Sequence, residues 1–104
     1  MPYGQDGPMR YIFEWDPLKA KENLRKHGIS FERAAAIFHD PHARSIFDIE
    51  HSEDEDRWVT LGMDSSGNLL VVIHTFHAVD DSARRVRIIS ARKATRKETR
   101  QYEG

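Results

Sequence analysis

The chain has 104 residues, 38% of them hydrophobic and 32% charged, with a formal net charge of −1 and no cysteine. This length points to one domain with a modest core; no apolar run approaches the roughly 20 residues that cross a bilayer, and without cysteine there is no disulfide framework, thiol nucleophile or thiolate zinc site. The charge is unevenly placed: from Arg84 to Gly104 eight Lys or Arg face only Glu98 and Glu103, a pattern that suits a polyanion, an acidic protein or the chain's own run Glu53-Asp54-Glu55-Asp56.

Residues 1–10, rich in Pro and Gly and without the apolar stretch of a signal peptide, read as a flexible extension, with the cytoplasm as the default compartment. Tyr11 to Trp15 is short, aromatic and partly β-branched, the pattern of a strand. Asp16-Pro17 then supplies an N-cap carboxylate and a proline at the first helical position. The helix runs to His27, where Gly28 takes the left-handed conformation and Ile29 is expected to fold back on Leu24. Ser30 caps a second helix with Glu32 in its first turn. Phe31, Ala34, Ala35 and Phe38 form one apolar stripe along it, and Asp40-Pro41 ends it. The short link between the helices predicts a helical hairpin.

Arg44 to Ile49 is a short strand candidate, and the acidic stretch Glu50 to Asp56 an exposed loop. Arg57 to Met63 is a stronger strand, followed by the turn residues Asp64-Ser65-Ser66-Gly67-Asn68. Leu69 to Phe76 is the most apolar strand and is expected near the sheet centre. Asp80-Asp81-Ser82 leads into a last strand, Arg84 to Ala91. Thr95-Arg96-Lys97-Glu98 has the form of a capping box that opens a short C-terminal helix. The order β-α-α-β-β-β-β-α over residues 11–104 predicts an α+β domain: an antiparallel sheet with the helical hairpin on one face.

Two separated segments carry a resemblance. Phe13-Glu14-Trp15-Asp16-Pro17-Leu18-Lys19-Ala20, followed by Asn23-Leu24-Arg25-Lys26-His27-Gly28-Ile29-Ser30-Phe31, resembles the opening signature of the BrnT family of type II toxins. Arg87-Ile88-Ile89-Ser90-Ala91-Arg92-Lys93-Ala94, continuing to Glu98 and Tyr102, resembles the closing one, with Arg57, Gly62, Gly67 and Leu69 to Thr75 in order between them. The resemblance spans residues 11–103. It implies a RelE-like fold and RNA cleavage that stops translation. It also implies inhibition by a BrnA-type antitoxin carrying a ribbon-helix-helix domain, through which alone the complex would touch operator DNA. A homodimer through an open strand edge, or a heterotetramer with the antitoxin, is compatible with that scheme.

Metal-free RNA cleavage needs a base for the 2′-hydroxyl, cations for the phosphorane and an acid for the leaving 5′-oxygen. Histidine fits the proton steps and arginine the charge, although RelE-like enzymes can rely mainly on Arg and Lys. The catalytic candidates are Lys26, His27, Arg57, Arg87 and Arg92, without a cofactor. Lys26 and His27 stand in the last turn of a helix, where they either serve catalysis or offset the helix dipole. Alternation places Arg85, Arg87 and Ile89 on one face of the last strand and Val86, Ile88 and Ser90 on the other. With helices over Val86, Arg87 faces an open sheet, as an RNA cradle or as partner to an acidic neighbour. Arg92 enters chiefly through the resemblance.

Lys93, Arg96, Lys97 and Arg100 would attract phosphates, and Tyr102 would stack on a base or pack on the sheet. Ser90 reads as a structural hydroxyl. His74-x-x-His77 points to opposite faces of a strand, and His39 and His42 lack a third ligand, so no metal is assigned. Two rival functions remain open: a non-catalytic nucleic-acid or antitoxin-binding module of the same fold, and a histidine-based metallohydrolase.

Overall fold

The computed structural model describes residues 9–103, so residues 1–8 of the expected extension lie outside the described residues. Arg10 already opens the first strand, β1 (Arg10–Glu14). Asp16 then caps α1 (Pro17–His27), its Oδ1 accepting from the Leu18 N–H at 2.9 Å. Gly28 ends the helix at φ +71° with its N–H on the Leu24 carbonyl. Ile29 goes fully into the core while Leu24 stays half exposed. Ser30 Oγ accepts the Arg33 N–H and starts α2 (Phe31–Ala36), which tightens into a 3₁₀ turn at Ile37–His39. The tighter turn rotates Ile37 inward, and it joins Phe31 and Ala34 in the core.

The sheet follows: β2 (Arg44–Phe47), a 3₁₀ turn at Ile49–His51, β3 (Trp58–Met63), β4 (Leu69–His74), β5 (His77–Asp80) and β6 (Ala83–Lys93), then α3 (Arg96–Glu103). The strand order is β1-β6-β4-β3-β2, with β5 also on β6. Two expectations are corrected here. The sheet is mixed, because β1 runs parallel to β6, Arg10 opposite Ala83 through Glu14 opposite Arg87. The helical hairpin carries the chain from one sheet edge to the other between β1 and β2, so no tight turn forces β1 to run antiparallel. The chain also has five strands after the helices rather than four. Thr75 interrupts the long apolar stretch by donating its backbone N–H to the Arg87 carbonyl and accepting the Arg87 N–H on Oγ1, and β5 resumes beyond it.

One face of the sheet, with Leu70, Val72, Val86, Ile88 and Ala91, packs against Ile29, Phe31, Ala34 and Ile37 as a single core. Gly62 lies under the 3₁₀ turn; a Cβ there would stand 3.0 Å from the Ile37 Cβ. Within the described residues, no helix is long and apolar enough to cross a membrane.

Two buried polar devices lock this arrangement. Beyond Arg87 the outer edge of β6 has no strand beside it, and α1 fills the gap with the Asn23 amide. Asn23 Nδ2 donates to the Ala91 carbonyl at 2.8 Å and to the Ile29 carbonyl at 3.0 Å, and its Oδ1 accepts the Ala91 N–H at 3.0 Å. The second device is a buried relay. His74 Nδ1 faces the Thr75 carbonyl at 2.8 Å and must carry the proton there, which leaves Nε2 to accept from Thr60 Oγ1 at 2.6 Å. Thr60 in turn accepts from Ser45 Oγ at 2.7 Å. Burial pushes the His74 imidazole below its ordinary 6.5, against the opposing pull of the Thr75 carbonyl.

Replacing Asn23 by Ala leaves three buried backbone groups unpaired and is expected to cost about 2–4 kcal/mol, read as a lower urea midpoint with an unchanged slope. For His74, the unfolded chain takes up a proton that the folded chain resists. Its contribution to stability is therefore complete above the ordinary value of 6.5 and declines as pH falls below it. Urea titrations between about pH 5 and 7 should show that decline in the native chain and a flatter profile in His74→Asn.

Candidate nucleic-acid interface

The second face of the sheet is covered only at one end, by α3, and a β-bulge decides what it displays. His74 pairs with Ile88 and Ile73 with Ser90, so Ile89 has no partner on β4. The extra residue shifts the alternation. Before it Val86 and Ile88 point to the core; after it Ala91 does. Ser90 and Arg92 therefore share the outer face with Arg87, and the expected grouping of Ser90 with Val86 and Ile88 does not hold.

Each outer-face arginine of β6 meets a carboxylate. Arg87, its backbone pinned by Thr75, forms an ion pair through Nη2 with Glu55 Oε1 of the acidic loop. Arg92 binds Glu98 with both fork nitrogens, Nη1 to Oε1 and Nη2 to Oε2, each at 2.9 Å. Glu98 also completes the capping box of α3, accepting the Thr95 N–H while Thr95 Oγ1 accepts its own. The Arg92 guanidinium holds the Glu98 carboxyl down at about 2 from an ordinary 4.5, opposed by partial burial and assisted by the Thr95 N–H. Arg85 lies beside Glu14 at 3.5 Å on the same face.

Arg57 precedes β3 and lines a polar recess with Glu50, His51, Glu53, Asp54 and Glu55. Glu55 of this recess is also the partner of Arg87. Lys26 and His27 occupy the exposed end of α1 and border a groove floored by Asn23, Ile89 and Ser90. Of the five residues proposed for catalysis, Arg87 and Arg92 lie on one face of β6, Lys26 and His27 border its second half from α1, and Arg57 stands two strands away at the start of β3.

Lys93, Arg96, Lys97 and Arg100 are all exposed, and among the described residues no ion pair holds them. Tyr102 donates its hydroxyl to Asp40 Oδ2 at 2.6 Å, an oxygen that also accepts the Met63 N–H at 2.8 Å. Its ring therefore latches α3 to the end of β3, the packing role that competes with base stacking. Sequence reasoning overlooked Arg44, which borders a half-apolar groove on the outer face with Ile46, Val59, Leu61, Val71, Glu98 and Gln101. The alternation of Arg44 and Ile46 on an edge strand was the available signal. Among the described residues no three His, Asp or Glu side chains are arranged to hold a metal ion.

A small α+β protein with a basic outer sheet face and one core-facing helical layer defines the class. Residues 15–98 match the model of the family described as the ribonuclease toxin BrnT of type II toxin–antitoxin systems, and the chain belongs to that family. The crystal structure of the Brucella abortus ribonuclease toxin BrnT shares the fold, with a TM-score of 0.56 and 23% identity over 85% of this chain and 100% of that one. A search of curated proteins gives no match.

Arg92→Ala should return Glu98 toward the ordinary carboxylate range. A carbon-detected NMR titration of Glu98 would read a midpoint near 2 in the native chain and an increase of more than about one unit in the variant. Because this carboxyl is depressed when folded, its contribution to stability is present above about 4.5 and vanishes as pH falls toward 2.

Proposed function

We propose that this chain is a cytoplasmic, RelE-like endoribonuclease toxin that cleaves RNA without a metal ion, arrests translation and is neutralised by a BrnA-type ribbon-helix-helix antitoxin. The observation that carries the site is the bulge at Ile89, which puts Arg87 and Arg92 on one open face on either side of Ser90. At about 3.3 Å per residue they are roughly 15 Å apart along the strand. Long side chains released from Glu55 and Glu98 reach toward each other across that gap and converge on one phosphate of the RNA strand.

In the reaction, the 2′-oxygen attacks the adjacent phosphorus and the bond to the 5′-oxygen breaks, giving a 2′,3′-cyclic phosphate and a free 5′-hydroxyl. The proton leaving the 2′-hydroxyl needs an acceptor and the departing 5′-oxygen a donor, tasks suited to His27 at the groove beside Ser90. Arg87 and Arg92 stabilise the charge that grows on the phosphorane, with Lys26 adding to the local field and Arg57 holding the strand farther out. Lys93, Arg96, Lys97 and Arg100 extend the attraction along α3 without reading sequence.

The antitoxin covers this basic face, its opposite charge speeding the encounter. Contact with operator DNA runs through it, in a heterotetramer or around a toxin homodimer.

Purified chain should cleave RNA in the presence of EDTA and leave 2′,3′-cyclic ends. Arg57→Ala, Arg87→Ala and Arg92→Ala should each slow cleavage about 10- to 100-fold with unchanged circular dichroism. Full activity in all three variants would remove these arginines from the site. Binding without cutting would favour the non-catalytic module, and inhibition by chelator a metallohydrolase.

A further inference from the structure

We propose that the acidic segment between β2 and β3 is an intramolecular occupant of the RNA face, with Glu55 standing on Arg87 where a phosphate group would otherwise bind. The inference rests on the RNA-cleaving reading above. Its starting point is the ion pair itself: Arg87 is the outer-face arginine whose backbone is fixed by Thr75, and its guanidinium is taken by a carboxylate from a loop 32 residues away in sequence. A carboxylate presents two oxygens to a guanidinium fork much as a phosphate does.

The loop is held without Glu55. Ser52 Oγ donates to the Asp48 carbonyl and accepts the Arg57 N–H at 3.0 Å, while the Asp48 carboxylate meets the His51 ring at 2.9 Å. Glu55 can therefore leave Arg87 while these bonds keep the loop in place. The pair is also open to exchange, since the Arg87 and Glu55 side chains are 40% and 33% exposed. Exposed pairs of this kind are weak and salt-screened. Glu53 and Asp54, exposed beside it, add a negative field that an approaching polyanion must overcome. A ligand offering several phosphates at once displaces the Glu55 carboxylate, whereas an isolated anion competes poorly. The segment thus sets a threshold for RNA engagement.

The test compares Glu55→Gln with Glu32→Gln, which changes net charge equally from the exposed first turn of α2. The probe is a fluorescein-labelled single-stranded RNA bearing 2′-O-methyl groups throughout, so that it cannot be cut by 2′-hydroxyl attack. Anisotropy titrations should show Glu55→Gln binding about twofold to fivefold more tightly than the native chain, with the gain shrinking as salt is raised. Cleavage of the unmodified RNA below saturation should rise in parallel. In an Arg87→Ala background, Glu55→Gln should have no such effect. Equal affinities for Glu55→Gln and Glu32→Gln, or weaker binding by Glu55→Gln, would overturn the proposal while native cleavage still supports the ribonuclease. Failure of the native chain to bind or cut any RNA would overturn both.

Discussion

The layout of the basic face depends on one side-chain amide doing the work of a missing strand. A β-strand edge presents an N–H and a C=O on the same side of alternate residues, and Ala91 turns both toward α1. Asn23 matches them with its Nδ2 and Oδ1, the same donor and acceptor spacing that a neighbouring peptide would offer. Its second Nδ2 hydrogen holds the Ile29 carbonyl just after the helix ends. The entry to α2, the end of α1 and the second half of β6 are therefore referenced to one residue. Lys26 and His27 lie one turn beyond it, and Arg92 follows the residue it grips. Buried and fully satisfied, the amide fixes the relative position of helix and strand more sharply than apolar packing does.

The bulge at Ile89 works with that constraint. A regular strand would keep Ala91 and Arg87 on the same face and send Arg92 into the core side. By inserting one unpaired residue, β6 buries Ala91 against the helices and returns Arg92 to the open face. The strand also changes company at this point. Its first half runs between β1 and β5, while its second half pairs with β4 on one side and leans on α1 on the other. Thr75 fills the junction with two bonds to the Arg87 backbone, which fixes the arginine where the strand changes partners.

Elements whose ends are marked by side-chain chemistry are legible in the sequence. Asp16-Pro17, Gly28, Ser30 and the Thr95–Glu98 box all form the predicted caps, because each acts over a few residues. What escapes is decided by partners far along the chain. No local feature says that residues 10–14 will lie parallel to 83–87, or that the Thr75 hydroxyl will split an apolar run into two strands. The parity of β6 is equally ambiguous, since Ile88-Ile89-Ser90-Ala91 accepts either alternation until α1 and β4 choose one. For the site, residue types and the Arg87 face are readable. The carboxylates that hold Arg87 and Arg92 are not, because the loop and α3 reach them only through the tertiary fold.

Glu98 serves two masters: its carboxylate both caps the first turn of α3 and clasps Arg92. Any ligand that draws Arg92 away alters the setting of that cap, and any agent that pulls α3 off the sheet sets Arg92 free. By reciprocity the two events share a single coupling free energy. The C-terminal helix is thus a built-in gauge of occupancy: its fraying, followed by amide exchange at residues 95–99, reports how far the neighbouring guanidinium has been captured.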